Sequence, residues 1–195
     1  MKAKPTIVTA VVFIAVFVAW TLWIGRLKQE AKLTSTLNRG RNIFALLTYR
    51  EDVDHFAVGA TSPYPGSGGQ DSTSTEYFQR MMDEGILAVD AGFFGAPGIG
   101  PDQGDILTRM GNAWCVNASS GRDTPKHVPL LFTRNLHFSL SGSNVVASLS
   151  NEAPFGKRDA AIVLWDGTPL HVRSRDLDDL TRNLLAAHVQ NILRP

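Results

Sequence analysis

Apolar and polar positions alternate in three different ways along this chain. From Thr6 to Gly25 the sequence "TIVTAVVFIAVFVAWTLWIG" carries no charge. A helix rising ~1.5 Å per residue needs ~20 such residues to cross ~30 Å of hydrocarbon, and this run supplies them. Pro5 suits a first helical turn, where its missing N–H is not needed. Trp20 and Trp23 sit near one end, where amphipathic rings favour the lipid–water boundary. A secretory h-region is shorter, ~7–15 residues, and ends in small residues. This run leaves through Trp-Thr-Leu-Trp-Ile-Gly instead. A soluble core helix keeps a polar face, and this one has none. The pattern predicts a retained anchor from Thr6 to Ile24, within a first segment of residues 1–25.

The second pattern is helical but two-sided. In "RLKQEAKLTSTLNRGRNIFALLTYRED", Leu27, Ala31, Thr34, Leu37, Arg41, Phe44 and Leu47 recur at helical spacing, with Leu33, Ile43 and Leu46 beside them. No proline interrupts Thr6 to Pro63, so one helix is expected to run to about Arg50, with residues 26–50 amphipathic. Gly40 is the weak point, at about 1 kcal/mol against alanine.

The third part, residues 51–195, mixes short patterns. "TSPYPGSGGQDSTS" breaks the helix. Thr73 and Glu76 then stand three apart, as in a capping box, before "TEYFQRMMDEGIL". Tyr77, Phe78, Met81 and Met82 are its expected inner face, and Gly85 its end. "VDAGFFGAPGIGPDQGD" reads as a structured surface loop. Beyond it the pattern shortens to strand length, in "VPLLFTRNLHFSL" and "NVVASLS". Ile162–Trp165 and Leu170–Arg173 flank Asp166-Gly167, which predicts a hairpin. "SRDLDDLTRNLLAAHVQNIL" reads as a closing helix, capped by Ser174, with Leu177, Leu180, Leu184, His188 and Ile192 on its inner stripe. The acidic Asp176, Asp178 and Asp179 favour its positive end.

Composition narrows the function. The chain has 195 residues and a formal charge of +1, of which Lys2 and Lys4 precede the apolar run. The remainder is close to neutral, which argues against a nucleic-acid footprint. About 170 residues outside the run suffice for one domain with its own core. The single cysteine, Cys115, allows no internal disulfide.

Chemical motifs are missing. His55, His127, His137, His171 and His188 show no metal-ligand spacing. The glycine-rich stretch lacks the Gly-Lys-Ser/Thr of a phosphate loop. "SLSGSN" lacks the spacing of a nucleophile elbow. Cys115 reads as a buried structural thiol. Asp102 and Asp105 offer two carboxylates where calcium takes 6–8 oxygens. Asn117-Ala118-Ser119 matches a glycosylation acceptor. No catalytic, cofactor-binding or metal residue is assigned, and no cofactor is expected.

The order of elements carries a resemblance. "GRNIFALL", "STEYFQRMMD", "FFGAPG", "PLLFTRNL" and "IVLWDGTPLHVRS" resemble stretches of type IV pilins and type II secretion pseudopilins, the G-type pseudopilins in particular. The resemblance extends over about two thirds of the chain in scattered pieces, and none is a catalytic signature. The resemblance implies an α+β fold: a long N-terminal helix, membrane-spanning in its first half, packed on a small antiparallel sheet, with a C-terminal helix. It implies a structural, non-catalytic component of a type II secretion or type IV pilus-like assembly. Its partners would be the membrane, like proteins and other copies of itself. The head would be periplasmic on a bacterial inner membrane. The family's Gly before the apolar run and Glu within it have no counterpart here, where the run begins Lys4-Pro5-Thr6-Ile7. Arg26, Lys28, Lys32, Arg39 and Arg41 flank the far end, and a count of basic residues alone would keep the head inside. That rule is weak for long translocated domains. The alternative is a membrane-tethered extracytoplasmic binding domain that does not polymerise. A tethered hydrolase around Cys115 or a distant Ser/His pair ranks third.

Overall fold

The computed structural model describes residues 5–54, 71–102, 104–119, 124–142, 144–182 and 184–195, with side chains of the first stretch from Val11 to Thr48. One helix, α1 (Pro5–Asp54), fills that stretch without a break. It extends a turn past the expected Arg50. The proline-rich break at Pro63–Gly69 and His55 lie outside the described residues.

α2 (Ser74–Asp83) begins where the sequence placed its cap. The Thr73 hydroxyl accepts from Glu76 N at 3.1 Å. The Glu76 carboxylate reaches back to Ser72 N, Ser72 Oγ and Thr73 N. The Ser72 hydroxyl and amide hold the Glu76 carboxyl below its ordinary value, with Thr73 N adding to them. A depressed carboxyl stabilises the fold above its unfolded pKa and loses that contribution as pH falls through the lower, folded value. Thr73→Ala is expected to cost about 1 kcal/mol, read as a lower urea midpoint. In Glu76→Gln the acid-dependent part of the cap disappears from the pH profile. Arg80 fixes the helix from outside, its Nη2 donating to Asp71 Oδ2 at 2.6 Å.

Seven strands follow among the described residues: β1 (Trp114–Asn117), β2 (Pro129–Thr133), β3 (Leu136–Ser141), β4 (Asn144–Leu149), β5 (Asp159–Leu164), β6 (Pro169–Arg173) and β7 (Ile192–Leu193). Five form one antiparallel sheet in the order β6-β5-β2-β1-β7, and β3 and β4 form a separate hairpin. The β5–β6 hairpin turns at Asp166-Gly167, as its sequence predicts. Gly167 has φ +82°, the left-handed region that glycine tolerates.

The large sheet is covered on both faces, because side chains alternate along each strand. Trp114, Val116, Leu131, Ala161 and Val163 pack with Ile43 and Leu47 of α1, with Tyr77, Phe78 and Met81 of α2, and with Phe94. Met82, expected inside, is only half-buried. Cys115, Phe132, Ala160, Ile162 and Val172 face the other way, against Leu136, Phe138, Ala147 and the short helix α3 (Leu177–Thr181). The Phe132 and Phe138 rings meet edge to face, 5.2 Å between centroids.

The expectation for the closing segment needs correction. Its helix is real but short, α3 alone; a 3-10 turn (Ser174–Asp176) precedes it, and a second 3-10 turn (Ala186–Val189) and β7 follow. The periodic stripe from Leu177 to Ile192 is therefore not one helical face. Strand β1 is the reason. Its outer edge offers unpaired backbone groups, and β7 pairs with it through Val116↔Leu193 and Asn117↔Ile192. The Asn191 carbonyl accepts from Ala118 N and Ser119 N at 2.7 and 3.1 Å. These tertiary bonds outweigh the helical pattern of a polar segment. Strand β1 itself had no forerunner in the sequence reading, since "WCVN" carries no alternation. All four of its residues are buried.

Candidate functional site

The most distinctive surface is the first half of α1. Every side chain from Val11 to Trp23 is exposed, while Leu33 is the first buried apolar residue of the helix. The large ones among them, such as Phe13 at 72% and Leu22 at 70%, touch nothing in the domain. This is one helix long and apolar enough to cross a membrane, and none of its apolar window is buried. Trp20 and Trp23 stack at 5.5 Å at its head-ward end.

Beyond the apolar run α1 lies along β5 in the same direction. Gln29 Nε2 donates to Asp159 Oδ2 at 2.8 Å, at the start of β5. Gly40 lies against Val163 further on, and Phe44 against Gly167 at the turn. The start of β5 and the end of β6 are therefore the end of the head nearest the apolar segment. Asp159 and Arg173 are directly opposed there, with Ala161 opposite His171. Asp159, His171 and Arg173 share the face that α1 covers. Together with Arg26, Gln29, Glu30 and Leu33 they line a cleft of ≈ 210 Å³.

The cleft's acids are occupied. Asp159 Oδ1 stands 2.6 Å from His171 Nε2, and its Oδ2 holds Gln29. Glu30 accepts from Arg26 Nε at 3.3 Å, a pair whose side chains are 77% and 60% exposed. Such an exposed pair is worth about 0–1 kcal/mol, so Arg26 is available to other partners. Arg173 forms no ion pair among the described residues.

The residues singled out in the sequence are scattered. Cys115 is fully buried in β1, and burial pushes its thiol up to about 12. At neutral pH it is a packed thiol, not a nucleophile. Asn117 is also fully buried. Its Nδ2 donates to Pro129 O at 2.9 Å and His188 O at 2.6 Å, and its Oδ1 accepts from Ser119 N. It is a structural bracket and not an accessible glycan acceptor. Asp102 turns both carboxylate oxygens onto Thr108, at 2.6 Å to its N and 2.8 Å to its Oγ1. Asp105 is exposed, and its carbonyl accepts from Gln79. Among the described residues no three His, Cys, Asp or Glu side chains meet as a metal site. Partial burial, helped by Arg194, lowers His137 from its ordinary value. The rings of His127 and His188 stand 6.1 Å apart near the C-terminal segment.

The cleft draws its residues from three distant stretches, so no motif announces it. The available signal was the run of basic residues directly after the apolar segment. Compared with family models, with curated proteins and with solved structures, the chain finds no match in any of the three.

Proposed function

We propose that this chain is a single-pass, non-catalytic membrane protein that serves as a pseudopilin-like structural subunit, its head on the outer side of a bacterial inner membrane. One observation carries the reading: an exposed apolar helix runs unbroken into a segment packed on an antiparallel sheet. Magnitude supports a membrane. Ten large apolar side chains between Val11 and Trp23 stand 49–72% exposed. At ~1.5–3 kcal/mol for each fully buried side chain, leaving them in water forgoes on the order of 10–20 kcal/mol. That matches or exceeds the ~5–15 kcal/mol stability of a whole domain. A bilayer is the cover that asks for no polar face.

A second observation favours the non-polymerising alternative. Above the membrane the solvent face of α1 presents Lys28, Lys32, Thr34, Ser35, Asn38, Arg41 and Asn42. This polar, basic stripe gives another copy of α1 little apolar surface to pack on. Ala15 and Ala19, inside the span, do allow close helix approach.

Cysteine cross-linking in native membranes separates the two readings, since Cys115 is buried and silent. An assembling subunit cross-links at both Ala19→Cys and Asn38→Cys. A tethered binding domain cross-links at neither, or at Ala19→Cys alone. Protease added to intact spheroplasts is expected to digest the head. A protected head places the domain in the cytoplasm and ends the secretion-assembly reading.

A further inference from the structure

We propose that the membrane-facing end of the head is a binding site for the phosphate of an anionic phospholipid, gripped by Arg26 and Arg173 in the cleft between α1 and the β5–β6 hairpin. The proposal rests on the membrane-anchored reading above.

Depth is the first argument. With Ile24 at the hydrocarbon edge, Arg26 stands ~3 Å and Glu30 ~9 Å further along the helix axis. The headgroup layer on each side of a bilayer is roughly 5–7 Å thick. The cleft mouth therefore opens at the level of the lipid phosphates.

Charge is the second. The strand register places Asp159 and Arg173 at the membrane-proximal end of the head, with Lys157 and Arg158 preceding β5 and Arg175 following β6. Lys28 and Lys32 stand on the adjacent turns of α1. All of these basic side chains are exposed. Asp159 holds Gln29 and His171, and Asp176 lies 3.5 Å from Arg175; Glu30 meets Arg26 only through Nε in the exposed pair described above, which leaves the two terminal nitrogens of that guanidinium for a phosphate. Asp178 and Asp179 belong to α3, which packs on the opposite face of the sheet. Seven of the chain's nineteen Lys and Arg residues thus stand at the end of the head next to the apolar segment. Basic clusters beside a spanning helix attract anionic lipid in this way.

Geometry is the third. Arg173 is opposed across the strands by an acid already committed elsewhere, so its guanidinium is left for an outside partner. A guanidinium presents paired N–H donors that match a phosphate. Arg26 faces it from α1 across the same cleft.

The full chain is reconstituted into nanodiscs of phosphatidylcholine with a minor share of phosphatidylglycerol, and retained lipid is counted by native mass spectrometry. Selective retention of phosphatidylglycerol is expected, weakening with salt. The doubly substituted Arg26→Gln, Arg173→Gln chain should lose about thirtyfold in that preference. Arg26→Lys with Arg173→Lys, which keeps the charge, should restore most of it and guards against a folding defect. Equal retention of both lipids, or a preference untouched by the glutamine pair, overturns the proposal while the anchor stands. Displacement of the lipid by millimolar inorganic phosphate assigns the cleft to free phosphate and also overturns it. Failure of the wild-type chain to float with vesicles removes the membrane reading itself, and the lipid site with it.

Discussion

Gly40→Ala is expected to lower the unfolding free energy of the head by about 1–2 kcal/mol, although alanine is the better helix former. Propensity alone favours the substitution by about 1 kcal/mol. The added Cβ, however, would stand 2.5 Å from Trp114 Cη2 and 2.8 Å from Val163 Cγ2. Both of those side chains are fully buried, so neither can swing into solvent. Overpacking a well-filled core costs about 1–3 kcal/mol, and two simultaneous contacts this short belong at the upper end. Urea unfolding of the full chain in detergent micelles, followed by circular dichroism, measures the loss. Trp114→Phe removes the two ring atoms nearest Gly40. In the double variant the two losses should therefore add to less than their sum, by about 1 kcal/mol or more. Strict additivity would show that α1 and β1 do not meet at this glycine.

Asn117→Leu is expected to cost more, about 3 kcal/mol. The side chain is nearly the same size, so the cavity effect is small. What is lost is a bracket of three hydrogen bonds. Pro129 O, His188 O and Ser119 N are each left without their side-chain partner. Ser119 N keeps the Asn191 carbonyl, so the cost falls on the two orphaned carbonyls, at about 1–2 kcal/mol each in a buried setting. The damage should be local first. Amides of Asn191–Leu193 should exchange faster than those of β2 and β5, because β7 holds on to β1 beside Asn117. A loss under about 0.5 kcal/mol would mean that the C-terminal segment is secured without Asn117.

What the sequence disclosed follows from where the forces are local. The Thr73–Glu76 cap is a contact between neighbours, and the chain spells it out. The Asp166-Gly167 turn is similar, because a left-handed backbone selects glycine. The unbroken apolar run is legible from its composition alone, and the structure leaves it exposed. Strand β1 was hidden because both of its faces are buried, which erases alternation. The closing helix was overread because its leucine spacing is helical. Its last residues are taken by β1, a partner some seventy positions away, by bonds no local pattern reports. Gly40 looked like a flaw in a helix and proves to be the point of closest approach to the sheet. The cleft is the least legible feature of all. Arg26, Asp159 and Arg173 are ordinary charged residues until the parallel course of α1 and β5 brings them together.

That course also makes α1 a lever. No proline and no break separate the span from the part that carries the sheet. Thr48 lies ~36 Å along the axis from Ile24. A 10° change in helix tilt, well within the range that bilayer thickness imposes, swings that point by about 6 Å. The head cannot stay level while the anchor leans, because Arg39 grips Gly95 O at 2.7 Å and Gly40 abuts the sheet. On the membrane-anchored reading proposed above, membrane thickness would thereby be converted into the angle at which the head faces its surroundings.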